Sequence, residues 1–381
     1  GEVDGKLGVL FPGQGAQYVG MLRDLACQFP QVITVLAHAN ATSGETEHGQ
    51  RLSDLVYPIP VFTEEARRQQ EQTLRATQNA QPALGAVSLA AMRILEHFGV
   101  SVEVAAGHSY GELVALCAAG RIDEASLHRL SRLRGELMAD GQGDRGAMLA
   151  VAAPVHAVRE FLDAGQLDLV IANYNAPAQV ILSGATAQIE QAAELCRRQK
   201  LRATRLPVSA AFHSRFVADA EVPFAGALTA IEFRQGGMTV LSNTTGEIYP
   251  QDSDEAKRLL AGQLARPVQF VREIEKMVDL GVQTFIEVGP GSRLTGLVES
   301  ILDGRKHHAF ALDASSGRRS GQVDLVSLLA ALSALGHDIQ LDRWDAGYLE
   351  TLVPDADKKP VMTIPICGAN YVKPREKHPP T

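Results

Sequence analysis

Residues 107–111 read Gly-His-Ser-Tyr-Gly and put one serine between two glycines. The preceding "VEVAA" is a short apolar run with strand character, and the following "ELVALCAAG" has helical spacing. Strand, sharp turn and helix in that order describe a nucleophile elbow. Glycines at 107 and 111 admit a turn that a Cβ would obstruct, and the helix start offers backbone N–H groups to a developing oxyanion. Ser109 is thus a candidate nucleophile; the competing reading is a small polar residue in a tight packing site.

A serine nucleophile needs a base. The chain has 11 histidines, most of them in polar helical or loop-like surroundings. His108 adjoins the serine, but neighbours on a tight turn point apart. His213, in "PVSAAFHSRF", follows a strand-like run where the chain re-enters its main body, and a cleft between two subdomains is a common place for a site. "FPGQGAQYVG" follows the first strand. Gly13 and Gly15 keep that turn open around Gln14, while Tyr18 stands where a dinucleotide fingerprint needs glycine. A turn offering bare N–H groups to an oxyanion fits better.

The elements that must hold these residues alternate between strand-like and helix-like runs, which predicts an α/β domain with its site at the C-terminal strand ends. "PALGAVSLAAMRILEHFG" predicts a helix ending at Gly99, and "QTFIEVGPG" a strand running into a glycine turn. Residues 145–208 have the order β-α-β-β-α-β, which predicts a ferredoxin-like insertion. The expected fold is a large α/β-hydrolase-like subdomain with a parallel sheet (1–144 and 209–305), a ferredoxin-like small subdomain (145–208) and a C-terminal linker (306–381) wrapping the domain. Within that linker, "VDLVSLLAALSALGHDI" predicts one amphipathic helix, and the proline-rich end an extended chain.

A formal net charge of −8 argues against general nucleic-acid binding. No run of 18 apolar residues is present, so no membrane span is expected. The four cysteines lie far apart with no C-x-x-C and no metal-ligand spacing, which predicts no metal site and a reduced, cytoplasmic setting. The start without Met or signal-peptide pattern leads us to expect a piece of a longer protein.

Taken together, "FPGQGAQ", "TQNAQPAL", "GHSYGE", "LRGELM", "NYNAPAQVILSG", "AAFHS", "QLARPVQF" and "EVGPGSRLTGL" resemble the malonyl-CoA:acyl-carrier-protein transacylases and the acyltransferase domains of type I polyketide synthases, over residues 7–302. "GHSYGE" and the "GANYV" tail look most like iterative enediyne or polyunsaturated-fatty-acid synthases. The resemblance implies Ser109 as the acylated nucleophile, His213 as its base, the backbone carbonyl of Gln263 as orienter of that histidine, and the backbone N–H groups of Gln14 and Tyr110 as the oxyanion hole. It further implies that Arg134 pairs with the free carboxylate of a malonyl group, with Gln81, Phe212, Asn173 and His108 along the substrate path. Phe212 before the histidine goes with malonyl over methylmalonyl. Ala210 and Tyr110 depart from the usual malonyl pattern. No bound cofactor is implied; malonyl-CoA is the substrate, and phosphopantetheine is carried by the partner. Expected partners are an acyl carrier protein domain and a flanking ketosynthase and other synthase domains.

Three alternatives remain at this stage. Water in place of the carrier thiol gives an acyl-thioester hydrolase. A non-catalytic megasynthase docking domain needs none of these residues. An α/β-hydrolase esterase needs a late acid and then a late histidine, for which His337 is available but in a helix-end context with no comparable motif.

Overall fold

The computed structural model describes residues 5–43, 49–140 and 143–345. The chain divides into two units, Gly1–Gln340 and Leu341–Thr381; the described part of the second contains a short 3-10 helix, Leu341–Trp344. The proline-rich extended chain expected near the C-terminus lies outside the described residues.

Nine strands are present among the described residues: β1 (Lys6–Phe11), β2 (Val104–Gly107), β3 (Ala147–Val151), β4 (Val170–Ala176), β5 (Gln179–Gly184), β6 (Ala203–Arg205), β7 (Thr239–Val240), β8 (Val282–Glu287) and β9 (His308–Ala311). The first unit holds two sheets. One is parallel, in the order β7-β2-β1-β8-β9. Its central strand is buried from Leu7 to Phe11, as expected of a parallel strand covered on both faces. The chain moves from β1 toward β2 and β7, then returns to the other side of β1 for β8 and β9. A crevice at the C-terminal strand ends follows from that reversal.

The second sheet is antiparallel, in the order β4-β5-β3-β6, with helices Val155–Gly165 and Thr186–Arg198. This is the ferredoxin-like insertion. It has its own apolar core, including Leu149, Val158, Phe161, Leu182 and Ile189. Its edge strand β4 is joined to the main body by two hydrogen bonds, Tyr174 N–H to the Val268 carbonyl (2.9 Å) and Val268 N–H to the Ala172 carbonyl (2.8 Å).

Two expectations need correction. Residues from 306 onward do not begin as a linker, because His308–Ala311 is the fifth strand of the parallel sheet, paired with β8. The histidine pair His307 and His308 at its start masks its strand character, and without this strand the edge of β8 would be unpaired. The helix Gly321–Ala334 then buries Leu325, Leu328, Leu329 and Leu332. The second correction is at the long buried helix, which runs Thr77–His97 and starts five residues before Pro82. Tertiary packing extends it. A Cβ at Gly135 would lie 2.9 Å from the Thr77 carbonyl oxygen, so that glycine lets the helix Glu124–Ala139 approach its first turn closely. Among the described residues, no helix is long and apolar enough to cross a membrane.

Candidate active site

Ser109 lies two residues past the end of β2, and the helix Gly111–Ala118 begins two residues later. Its φ of 53° is the left-handed region that a side chain rarely occupies. Both flanking glycines are sterically required. A Cβ at Gly107 would lie 2.0 Å from the Gly111 carbonyl carbon, and one at Gly111 would lie 2.0 Å from the Phe11 carbonyl oxygen. At Gly107 the elbow's backbone closes on itself, and at Gly111 the end of β1 presses against it.

The Ser109 Oγ lies 2.7 Å from Nε2 of His213. His213 is buried and also has a left-handed φ, 56°. Its Nδ1 lies 3.1 Å from the Gln263 carbonyl oxygen and 3.0 Å from that of Arg266. Carbonyls only accept, so Nδ1 carries the proton and Nε2 accepts from the serine hydroxyl. Burial, and then the nearby Arg134 charge, lowers the imidazole to about 3, against the pull of the two carbonyls. A neutral ring with a free lone pair aimed at a serine hydroxyl can take up that proton. Of the two carbonyls at Nδ1, the sequence reading named Gln263 and did not name Arg266.

Gln14 is held by its side chain, whose Nε2 donates to Thr77 Oγ1 at 3.0 Å. Among the described residues, neither the Gln14 nor the Tyr110 backbone N–H donates to a backbone carbonyl. Of the three arginines on the helix Glu124–Ala139, Arg134 alone is buried. Its Nη1 donates to Gln81 Oε1 at 2.8 Å and its Nη2 to Gln263 Oε1 at 3.0 Å. Burial lowers its pKa to about 10, which leaves it protonated at neutral pH. The close approach at Gly135 sets the Arg134–Gln81 contact.

A cavity of about 620 Å³ opens beside the serine. Gln14, His108, Ser109, Asn173, Phe212 and His213 line it, facing Met148, Ala150 and Ile181 of the small sheet and Arg293 beyond β8. His108 is turned away from the serine hydroxyl, with its Nε2 2.7 Å from Asn175 Oδ1 and its ring edge-on to Phe270. Tyr110, Gln81 and Arg134 are buried and do not line the cavity.

Residues 9–322 match the acyl transferase domain family. The chain belongs to that family. It is 34% identical over 305 residues to the malonyl CoA-acyl carrier protein transacylase of Bacillus subtilis (strain 168), covering 78% of this chain and 90% of that one. It is 29% identical over 390 residues to a polyunsaturated fatty acid synthase polypeptide of Thraustochytrium sp., covering 98% of this chain but 13% of that protein. Its fold matches the crystal structure of the acyltransferase domain from the second module of the salinomycin polyketide synthase, with TM-score 0.79 and 29% identity, over 92% of this chain and 78% of that one. The chain is thus an enzyme of the acyltransferase class.

Beneath the elbow of this acyltransferase lies a buried polar network that sequence reasoning missed. Gln263 Nε2 donates to the Ser109 carbonyl (2.6 Å) and to Glu112 Oε2 (3.2 Å), so one side chain touches the serine backbone, Glu112 and Arg134. Asn243 Oδ1 accepts the Ser109 N–H, and its Nδ2 donates to the Gly107 carbonyl and to Glu273 Oε1. Tyr249 donates its hydroxyl to Glu112 Oε1. Burial pushes Glu112 up to about 7 and holds Glu273 well above the usual carboxylate range, Glu112 adding to the latter. Glu112 was visible in "GHSYGE" as a motif letter without a role. Arg266 was visible in "QLARPVQF" as a motif letter without a role, and Asn243 sits in a loop outside the quoted motifs.

A further missed residue ties two cavity loops of the acyltransferase together. Asp313 Oδ2 accepts both the Tyr18 hydroxyl and the Gly291 N–H, each at 2.8 Å. It thereby links the loop carrying Gln14 to the glycine turn before Arg293.

Proposed function

We propose that this acyltransferase moves a malonyl unit from malonyl-CoA to the phosphopantetheine thiol of an acyl carrier protein, by a ping-pong route through Ser109. The observation that carries this reading is Arg134, a buried guanidinium beside a Ser–His pair whose two side-chain acceptors are both neutral amides. A buried cation whose side-chain acceptors are neutral amides favours an anionic ligand, and guanidinium matches a carboxylate bidentately.

Ser109 Oγ attacks the thioester carbonyl while its proton passes to His213 Nε2. The N–H groups of Gln14 and Tyr110 receive the oxyanion. The C–S bond breaks, and the departing CoA sulfur takes the proton back from His213, leaving malonyl on Ser109. The carrier thiol then gives its proton to His213 and attacks the ester, and the intermediate releases Ser109 with the proton returned. The Gln263 and Arg266 carbonyls hold the imidazole in the needed tautomer, doing the positional work of a third triad member without a buried anion.

Phe212, on the cavity wall next to the base, narrows the space open to an α-methyl group. Asn173 and His108 line the path of the thioester, and Gln81 pre-orients Arg134. Similarity to a polyunsaturated fatty acid synthase over nearly the whole chain supports a place in an iterative type I synthase, beside a ketosynthase and a carrier domain. The free cysteines Cys27, Cys117 and Cys196 support a reducing, cytoplasmic setting.

The test is a competition among malonyl-CoA, methylmalonyl-CoA and acetyl-CoA with a carrier protein present, on wild type and Arg134→Ala. Malonyl is expected to transfer fastest, and its advantage to vanish in the variant. Release of malonate to water with the carrier left unloaded would instead establish a hydrolase.

A further inference from the structure

Tyr110 is the one residue of the elbow whose side chain runs away from the cavity. It is 1% exposed. Its hydroxyl lies 2.6 Å from Ser131 Oγ, and Ser131 donates its own proton to the Leu127 carbonyl at 2.6 Å. The tyrosine is therefore the donor, and its ring is fixed at the far end. Ser131 stands one turn before Arg134 on the same face of the helix. The guanidinium carbon of Arg134 lies 5.8 Å from the centre of the Tyr110 ring, within range of a cation–π contact.

The opposite wall is shaped for this phenol. A Cβ at Gly85 would lie 2.1 Å from the Tyr110 hydroxyl oxygen and 3.2 Å from Ser131 Oγ. Any other residue at 85 would displace the ring. The side chain thus spans from the nucleophile to the helix of the arginine, in a slot built by Gly85 and Ser131.

We propose that Tyr110 is a positioning residue that fixes the Arg134 guanidinium relative to Ser109, and so sets the preference for a short acyl unit ending in a carboxylate. This rests on the reading of Arg134 as the carboxylate partner. The backbone of Tyr110 serves the carbonyl end of the acyl group, and its ring serves the other end. The two ends of a malonyl unit are then held at a distance set by one rigid aromatic side chain.

The experiment measures the malonyl-to-acetyl ratio of kcat/KM in Tyr110→Leu, which removes the ring, with Arg134→Ala alongside. The ratio is expected to fall about tenfold in Tyr110→Leu, through a raised KM for malonyl-CoA. An unchanged ratio in Tyr110→Leu, with a collapsed one in Arg134→Ala, overturns this inference alone. An unchanged ratio in Arg134→Ala overturns it together with the malonyl reading. Should Tyr110→Leu fail to fold, a pair of variants decides. Gly85→Ala is expected to lower the ratio through its clash with the hydroxyl, and adding Tyr110→Phe to restore it. A Gly85→Ala ratio equal to wild type, or no restoration, overturns the proposal.

Discussion

The side-chain amide of Asn243 brackets the nucleophile: its Oδ1 accepts the N–H of Ser109, and its Nδ2 donates to the carbonyl of Gly107. A residue held at positive φ persists only where its surroundings over-determine it. Asn243 does so from a loop that follows the two-residue strand β7, and Gln263 completes the bracket at the Ser109 carbonyl.

Asn243→Ala leaves two buried backbone groups without partners. Each costs about 1–3 kcal/mol, so a clear fall in Tm is expected. The serine also loses its fixed direction, and kcat is expected to drop about 100-fold. Thermal melts and steady-state kinetics check this. A variant that melts lower yet keeps wild-type kcat would show that Gln263 and the glycines hold the elbow unaided.

The buried carboxyl of Glu112 predicts a pH effect of defined sign. Its folded pKa, pushed up to about 7 mainly by burial, exceeds the ordinary 4.5. Between those values the folded protein binds more proton than the unfolded chain. The stability contribution is therefore complete below the lower value and is lost as pH rises through the higher one. Glu112→Gln keeps a neutral amide there and cannot lose it. The Tm of the variant relative to wild type is expected to improve steadily between roughly pH 5 and about pH 8. A Tm difference independent of pH would contradict it. His213 has the opposite sign: its folded pKa of about 3 lies below the ordinary 6.5, so its contribution is present above 6.5 and is lost as pH falls toward 3. The kcat/KM profile of the free enzyme should accordingly lack an imidazole step near the ordinary value.

Phe212→Ala tests the pocket wall. One methyl group is worth about 1–3 kcal/mol of discrimination, so the methylmalonyl-to-malonyl ratio of kcat/KM is expected to rise about tenfold or more. No change in that ratio would place the α-carbon against a different wall.

How much of this was legible in the sequence follows from how local each signal is. The elbow shows within five residues, because glycines at 107 and 111 mark where backbone presses on backbone. The ferredoxin-like insertion was legible from its alternating runs, each long enough to show a period. Strand β9 was not: four residues that follow His307 and open on His308, paired on one side only, carry no distinctive pattern. Asn243 and Arg266 act from loops, where the fold and not the adjacent residues sets their direction. The orientation of Tyr110 was equally hidden. It depends on an absent Cβ at Gly85, on a different helix, and no reading of the elbow reveals it.

The central claim is that Ser109 carries the acyl group. The most direct measurement is the intact mass of the protein after incubation with malonyl-CoA and no carrier. One added malonyl group is expected on wild type, absent from Ser109→Ala and discharged on adding a phosphopantetheinylated carrier protein. An adduct that persists on Ser109→Ala, or a carrier loaded at wild-type rate by that variant, would contradict the account.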